Sequence, residues 1–200
     1  QVGGYLKVLS ERYQMIERRL PIFAKPTARS GRYYIKDNFL RAWLGALQRP
    51  VSASAFRPLE QLIRQADQHL QVVEGHALED LVAKIYEEHS RLGLGDFALT
   101  HRVCGYWDRS DVEIDLVALN EDELRIRFAS CKRNAEKLAG SIVSLKEAVG
   151  RFLAGHKRFA GWQVEYAAIA PVIPETARDT LGAQGVIPQS LSDLIAVYRQ

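Results

Sequence analysis

The segment VEIDLVAL, residues 112–119, constrains the chain more tightly than any other. A β-strand sends successive side chains to opposite faces, so Val112, Ile114 and Leu116 fall on one side and Glu113 and Asp115 on the other. A polar turn, Asn120, Glu121, Asp122 and Glu123, separates it from a second strand-like run, RIRFASCKR. There the same period groups Phe128, Ser130 and Lys132 and leaves Arg127, Ala129 and Cys131 opposite. An acid on one strand and a lysine 17 residues later on its hairpin partner thus converge at one edge of a sheet.

The flanking patterns extend this hairpin into a domain. A helix is predicted from Gly75 through HALEDLVAKIYEEH, then a Gly-rich turn from Leu92 to Asp96, then strands near 97–106, 112–119 and 124–131. A helix over about 135–154, a strand over 163–170, Pro171 and Pro174, and a short helix from about Glu175 complete the chain. The order α-β-β-β-α-β, a three-strand meander followed by a crossover to a fourth strand, predicts an α/β sandwich.

Ahead of it, Tyr5, Leu6, Leu9, Tyr13 and Ile16 stand at helical spacing over residues 5–19, with Pro21 placed to stop the helix. Ser30-Gly31 marks a turn between short extended stretches, and a second apolar helix starts at about Asp37. Helix, hairpin, helix is the tail of a winged-helix arrangement. The predicted organisation is a winged-helix-like module over 1–49, a helical connector over 50–72 and an α/β domain over 73–200.

Charge is unevenly shared between these parts. Residues 1–49 carry ten Lys and Arg against three acids, whereas residues 50–200 carry seventeen against twenty-one. A basic excess confined to a small module suits nucleic acid or another acidic surface, and it suits a solvated face equally well. Arg12, Arg18, Arg19, Lys25, Arg29, Arg32 and Lys36 are the side chains placed to meet phosphates, with Arg29, Arg32 and Lys36 at the predicted wing.

Other classes drop out. No apolar run approaches the ~20 residues of a membrane helix, and no signal sequence opens the chain, so a cytoplasmic location without membrane partners is expected. Cys104 and Cys131 lack the paired spacing of a zinc site and are expected as reduced core residues. The five histidines show no useful ligand spacing. No G-x-x-x-x-G-K-[ST] is present, so these residues hold no P-loop of their own. Gln1 as first residue, with Gly3-Gly4 leading straight into a helical pattern, suggests that a longer natural chain extends upstream.

The acid and lysine resemble the PD-(D/E)XK nuclease motif, in which acids bind a divalent cation and a lysine orients or activates water. Hard Mg²⁺ prefers carboxylate oxygens, and metal-activated hydroxide is what phosphodiester cleavage requires. The resemblance implies a restriction-endonuclease-like αβββαβ core with Asp115, Lys132, Glu79 and Glu113 as catalytic residues. Asp115, Glu79 and the backbone carbonyl of Cys131 would be the ligands of a Mg²⁺ present only if the site is active.

A closer resemblance spans nearly the whole chain. Tyr34, Ile35, Asp37, Asn38, Phe39, Leu40, Arg41 and Trp43, then Gly75 and Glu79, Gly105 and Trp107, Glu113, Ile114, Asp115, Val117 and Ala118, and Cys131 with Lys132 match the C-terminal regions of prokaryotic AAA-type (STAND-like) ATPases. Those regions carry a winged helix followed by a nuclease-like domain. The resemblance implies an ATPase core upstream as a partner in the same chain, DNA as the nucleic acid engaged, and a winged helix that serves either DNA or as a lid. One position departs from the pattern: Ser130 stands where the family has glutamate. The resemblance therefore implies a C-terminal accessory region of an ATPase whose nuclease-like domain, active or degenerate, engages nucleic acid, with Glu113 or Glu136 as the compensating acid if it cuts. The alternative is a catalytically inactive protein-interaction or assembly module.

Overall fold

The computed structural model describes residues 2–109 and 111–199. The chain divides into two compact units, Gln1–Ala77 and Leu78–Gln200.

In the first unit, α1 (Val2–Lys7) widens into π-type turns over Val8–Arg12. Tyr13 and Met15 return their N–H groups to the carbonyls of Val8 and Leu9, and Gln14 enters the left-handed region at φ 52°, which ends the helix. The helix predicted over 5–19 is thus shorter than its apolar spacing. Ile16–Arg19 is instead strand β1, paired antiparallel with β2 (Arg32–Ile35) in the register Ile16↔Ile35 to Arg19↔Arg32. The face that suggested a helix stays in water at Tyr5 and Tyr13, whereas the ladder gives residues 16–19 backbone partners.

The connection between these strands is held from within. Arg18 donates to the carbonyls of Pro26, at 3.0 Å, and Ala28. Its guanidinium lies so close to Gly31 that a Cβ there would come within 2.5 Å of Arg18 Nε. After the hairpin, Asp37 caps α2 (Asn38–Ala42) by accepting the Leu40 N–H at 2.6 Å. Buried Arg41 reaches back to the Ile35 carbonyl at 2.8 Å, fastening the helix to the strand before it. Wide turns over Trp43–Leu47 and then α3 (Gln48–Ala53) follow.

One helix, α4 (Leu59–Leu92), then runs for 34 residues. The connector and the separate helix expected from Gly75 are a single element. Glycine costs a helix interior about 1 kcal/mol relative to alanine without forbidding helical geometry, and Gly75 does not interrupt it. The break comes at Gly93, with φ 69°, where the Gly93 N–H reaches the Ser90 carbonyl and the Leu94 N–H reaches that of His89. That pair of bonds is a Schellman closure.

The second unit is built on a mixed five-stranded sheet in chain order: β3 (Cys104–Trp107), β4 (Glu113–Asn120), β5 (Arg125–Cys131), β6 (Gln163–Ala170) and β7 (Val186–Ser190). The first three strands form an antiparallel meander, while β5, β6 and β7 are mutually parallel. Helix α5 (Leu138–Gly155) makes the crossover from β5 to β6, α6 (Glu175–Ala183) connects β6 to β7, and α7 (Leu191–Ala196) follows. Alternation sorts the faces as the sequence predicts. Leu116, Ala118, Ala129, Cys131, Ala167 and Ile169 pack with Leu78, Val82 and Tyr86 of α4 and with Leu194. On the opposite face Phe128 meets Phe152 of α5 edge to face at 5.2 Å.

The α/β character and the meander with crossover are as expected, with two differences. The strand expected over 97–106 is regular only over Cys104–Trp107. Strand β7 and helix α7 were not anticipated, because Val186–Ser190 is short and holds Pro188. Proline lacks an N–H to give a ladder, and the edge of the sheet is where it is tolerated.

Candidate functional site

Strands β4 and β5 pair from Asn120↔Arg125 to Leu116↔Ala129 and no further. At the next step the Asp115 carboxylate takes over from the ladder. Its Oδ2 accepts the Cys131 N–H at 2.8 Å, Lys132 Nζ at 3.0 Å and Ser130 Oγ at 3.3 Å. The Lys132 N–H donates to the Ile169 carbonyl at 2.8 Å, so the end of β5 stays tied to β6 while it parts from β4. Asp115 and Lys132 are thus brought together as the two-residue period requires, with side chains 18% and 34% exposed. Ser130 is buried beside them.

Gly105 on β3 makes room for this arrangement. A Cβ there would stand 3.1 Å from the Asp115 carbonyl and 3.3 Å from that of Ile114, at the point where β3 and β4 shift register. Trp107 is buried, and Tyr106 meets Phe152 edge to face at 4.8 Å, so both aromatic residues serve packing.

The remaining acids differ in setting. Glu79, half-buried on α4, is near enough for its charge to be felt at Cys131. Burial first, then the negative charges of Asp115 and Glu79, push the Cys131 thiol well above its ordinary range, which leaves it protonated and unreactive. Glu113 is exposed, opposite Trp107. Glu136 is exposed and engaged with Asn134, whose side chain bonds both its N–H and its carboxylate. Arg29, Arg32 and Lys36, in the first unit, are exposed.

Mg²⁺ takes carboxylate oxygens and waters in near-ideal octahedral geometry. Among the described residues no three His, Cys, Asp or Glu side chains are grouped to hold a metal ion. The Asp115 oxygen that faces Lys132 already receives three donors. Ser130 supplies a neutral hydroxyl where a second charged ligand would stand. This donor set does not fit the divalent ion that the motif implies.

A second polar cluster lies on the opposite face of β5, and sequence reasoning assigned it no role. Arg127, 1% exposed, donates to Asp96 Oδ2 at 2.7 Å and Oδ1 at 3.1 Å, and to Glu165 Oε2 at 2.9 Å. Its guanidinium lies over the Phe97 ring at 4.8 Å. Arg125 shares Glu165, at 2.7 Å. Burial works against the Arg127 charge, but bonding to Asp96 and the fields of Tyr86 and Asp96 outweigh it and hold the group above its ordinary value. The Arg127 hydrogen bonds hold the Asp96 carboxyl below the usual range. The available signal was an arginine at an interior strand position on the same face as Ala129 and Cys131.

The pattern of the DUF234 family, described as archaeal and bacterial proteins of unknown function, matches residues 43–143. The match runs from the turns after α2 to the start of α5, and so takes in Glu79, Asp115, Ser130 and Lys132. The chain is also similar to an uncharacterized protein of Methanocaldococcus jannaschii, 30% identical over 130 residues. Those residues are 64% of this chain and 28% of that relative's length.

Proposed function

For this chain, which belongs to the DUF234 family, we propose the role of a C-terminal accessory region of an ATPase, with a degenerate PD-(D/E)XK-like domain that engages nucleic acid without cutting it. The observation that carries this reading is the meeting of Asp115, Ser130 and Lys132 where β4 and β5 part. The contact between acid and lysine where the β4–β5 ladder ends supports a reading of them as the remnant of that motif. The α-β-β-β-α-β order around them supports the reading of a restriction-endonuclease-like core. With the second acid replaced by Ser130, Lys132 Nζ neutralises Asp115 directly, and the pair fixes the end of β5 rather than a metal-bound water.

In the same reading the first unit is a winged-helix-like module, its wing the loop between β1 and β2. Exposed Arg29, Arg32 and Lys36 supply cations for DNA phosphates, and an upstream ATPase core in the same chain is the remaining partner.

Two measurements test this. The first is divalent-dependent nicking of plasmid and single-stranded substrates by the natural chain, by Ser130→Glu and by Asp115→Ala. The natural chain is expected to leave both substrates intact, and Ser130→Glu is expected to gain Mg²⁺ or Mn²⁺ affinity because a second carboxylate would stand beside Asp115. Robust cleavage by the natural chain that disappears in Asp115→Ala would show the site to be an active nuclease. The second is DNA affinity as a function of salt. Counterion release makes a phosphate-binding surface lose affinity steeply as salt rises, and reversing the charges of Arg29, Arg32 and Lys36 should flatten that slope. If the natural chain fails to bind DNA at low salt, the domain is instead a protein-interaction or assembly module.

A further inference from the structure

We propose that a cavity of about 320 Å³ between α4 and α7 is a binding site for a neutral, hydrogen-bonding heterocycle of nucleobase size. It lies on the face of the sheet opposite Phe128, Ser130 and Lys132, and it stands independently of any role for Asp115. Its volume is at the lower end of the range for small-molecule sites.

The lining selects the ligand by exclusion and by complementarity. An anion is disfavoured, because Arg127, the cation in the wall, already gives its N–H groups to Asp96 and Glu165. A cation is disfavoured too, because both carboxylates in the wall are matched: Asp96 by Arg127, and Asp193 by Arg178 at 2.6 Å. Unmatched hydrogen-bonding capacity remains. His89 lines the cavity at 5% exposure, and its Nε2 is buried without a hydrogen-bond partner. A buried ring nitrogen in that state costs stability that a ligand atom would return.

Gln189 adds a second point of recognition. The Tyr86 hydroxyl donates to Gln189 Oε1, which turns the amide N–H pair away from Tyr86 as donors. Phe97 with its overlying guanidinium forms one side of the lining, and Leu194 and Val197 contribute the apolar remainder. The edges of these planar groups and the apolar remainder together desolvate a flat ring. Base edges present the adjacent donors and acceptors that an imidazole and an amide read together.

The test uses the full chain labelled with ¹⁵N, with adenosine, guanosine, cytidine and uridine as probes and benzoate and benzylamine as charged controls of comparable size. At least one nucleoside is expected to shift the His89 side-chain nitrogen resonances and raise Tm in a saturable way, with neither control doing so. Leu194→Trp, which fills the cavity, should abolish both responses, and Gln189→Leu should weaken binding roughly fivefold to tenfold, the effect of one hydrogen bond. Silence from all four nucleosides, preference for benzoate or benzylamine, or binding that survives Leu194→Trp overturns the proposal. If Leu194→Trp fails to fold, the half-buried Gln189→Leu decides alone, and unchanged affinity in it is equally fatal.

Discussion

Strand β5 carries two polar clusters on opposite faces, and they are built on different principles. Around Arg127 every charge is matched: one cation serves two carboxylates at 2.7–2.9 Å beneath an aromatic ring, and the group is 1% exposed. Around Asp115 one carboxylate oxygen collects three donors at the end of the ladder, with Ser130 buried and Asp115 and Lys132 partly exposed. The first arrangement is a structural clamp, since the buried Arg127 guanidinium joins Asp96 to Glu165, which Arg125 holds as well. The second is partly exposed at Asp115 and Lys132. A motif search finds the second and passes over the first.

That contrast is broken most directly by Arg127→Met. Glu165 keeps Arg125 as a partner and Asp96 is largely exposed, so what is lost is the set of charged hydrogen bonds made by the buried guanidinium, and the cost should be about 2–3 kcal/mol, read from urea unfolding of the full chain. Asp115→Asn keeps an acceptor for the buried Cys131 N–H and gives up only the charge, so about 1 kcal/mol is expected. Equal losses in the two variants would show that the Asp115 site is as structural as the Arg127 cluster.

Gly105→Ala sharpens the comparison from the neighbouring strand. Its Cβ would press on two carbonyls of β4, at 3.1 Å and 3.3 Å, and backbone yields less readily than a side-chain tip. A cost of about 1–3 kcal/mol is expected from overpacking of this kind. The same variant should move the Lys132 and Asp115 resonances while leaving those of Arg127 in place, if the two clusters are independent.

How much of this was legible in the sequence follows from what each element depends on. The hairpin of β4 and β5 was readable because its period-two alternation is local and one face is buried continuously; Asp115 and Lys132 followed from it. Strand β1 was misread because Ile16 completes a helical spacing, and only pairing with Arg32–Ile35, a contact distant in sequence, decides against the helix. The single helix through Gly75 was missed because glycine was read as a boundary, whereas glycines set a stop where φ turns positive, as at Gly93. Strand β7 was missed because its identity comes from pairing with β6 and its one proline argues against it. The Arg127 cluster draws on residues 96, 127 and 165, which no local pattern joins.

The smallest effect at neutral pH belongs to Tyr86, and it tests whether the clamp side of the sheet is as dry as the contrast requires. Burial first, opposed by the nearby Arg127 charge, pushes the Tyr86 hydroxyl from 10.0 to about 12. The folded state thus holds the proton more tightly than the unfolded chain does. A group whose pKa is raised by folding contributes stability that is complete below its unfolded pKa and is lost as pH rises through the folded one. The loss attributable to Tyr86 should therefore begin near pH 10 and be complete just above pH 12. Other groups titrate in the same window, so the quantity to measure is the difference in unfolding free energy between the natural chain and Tyr86→Phe at steps from pH 9 upward. Tyr86→Phe should start lower, because the bond to Gln189 is gone, and then fall less steeply. Parallel curves would mean that the hydroxyl ionises in the folded state as it does in water. The Arg127 face would then be hydrated, and its difference from the Asp115 face would be one of geometry alone.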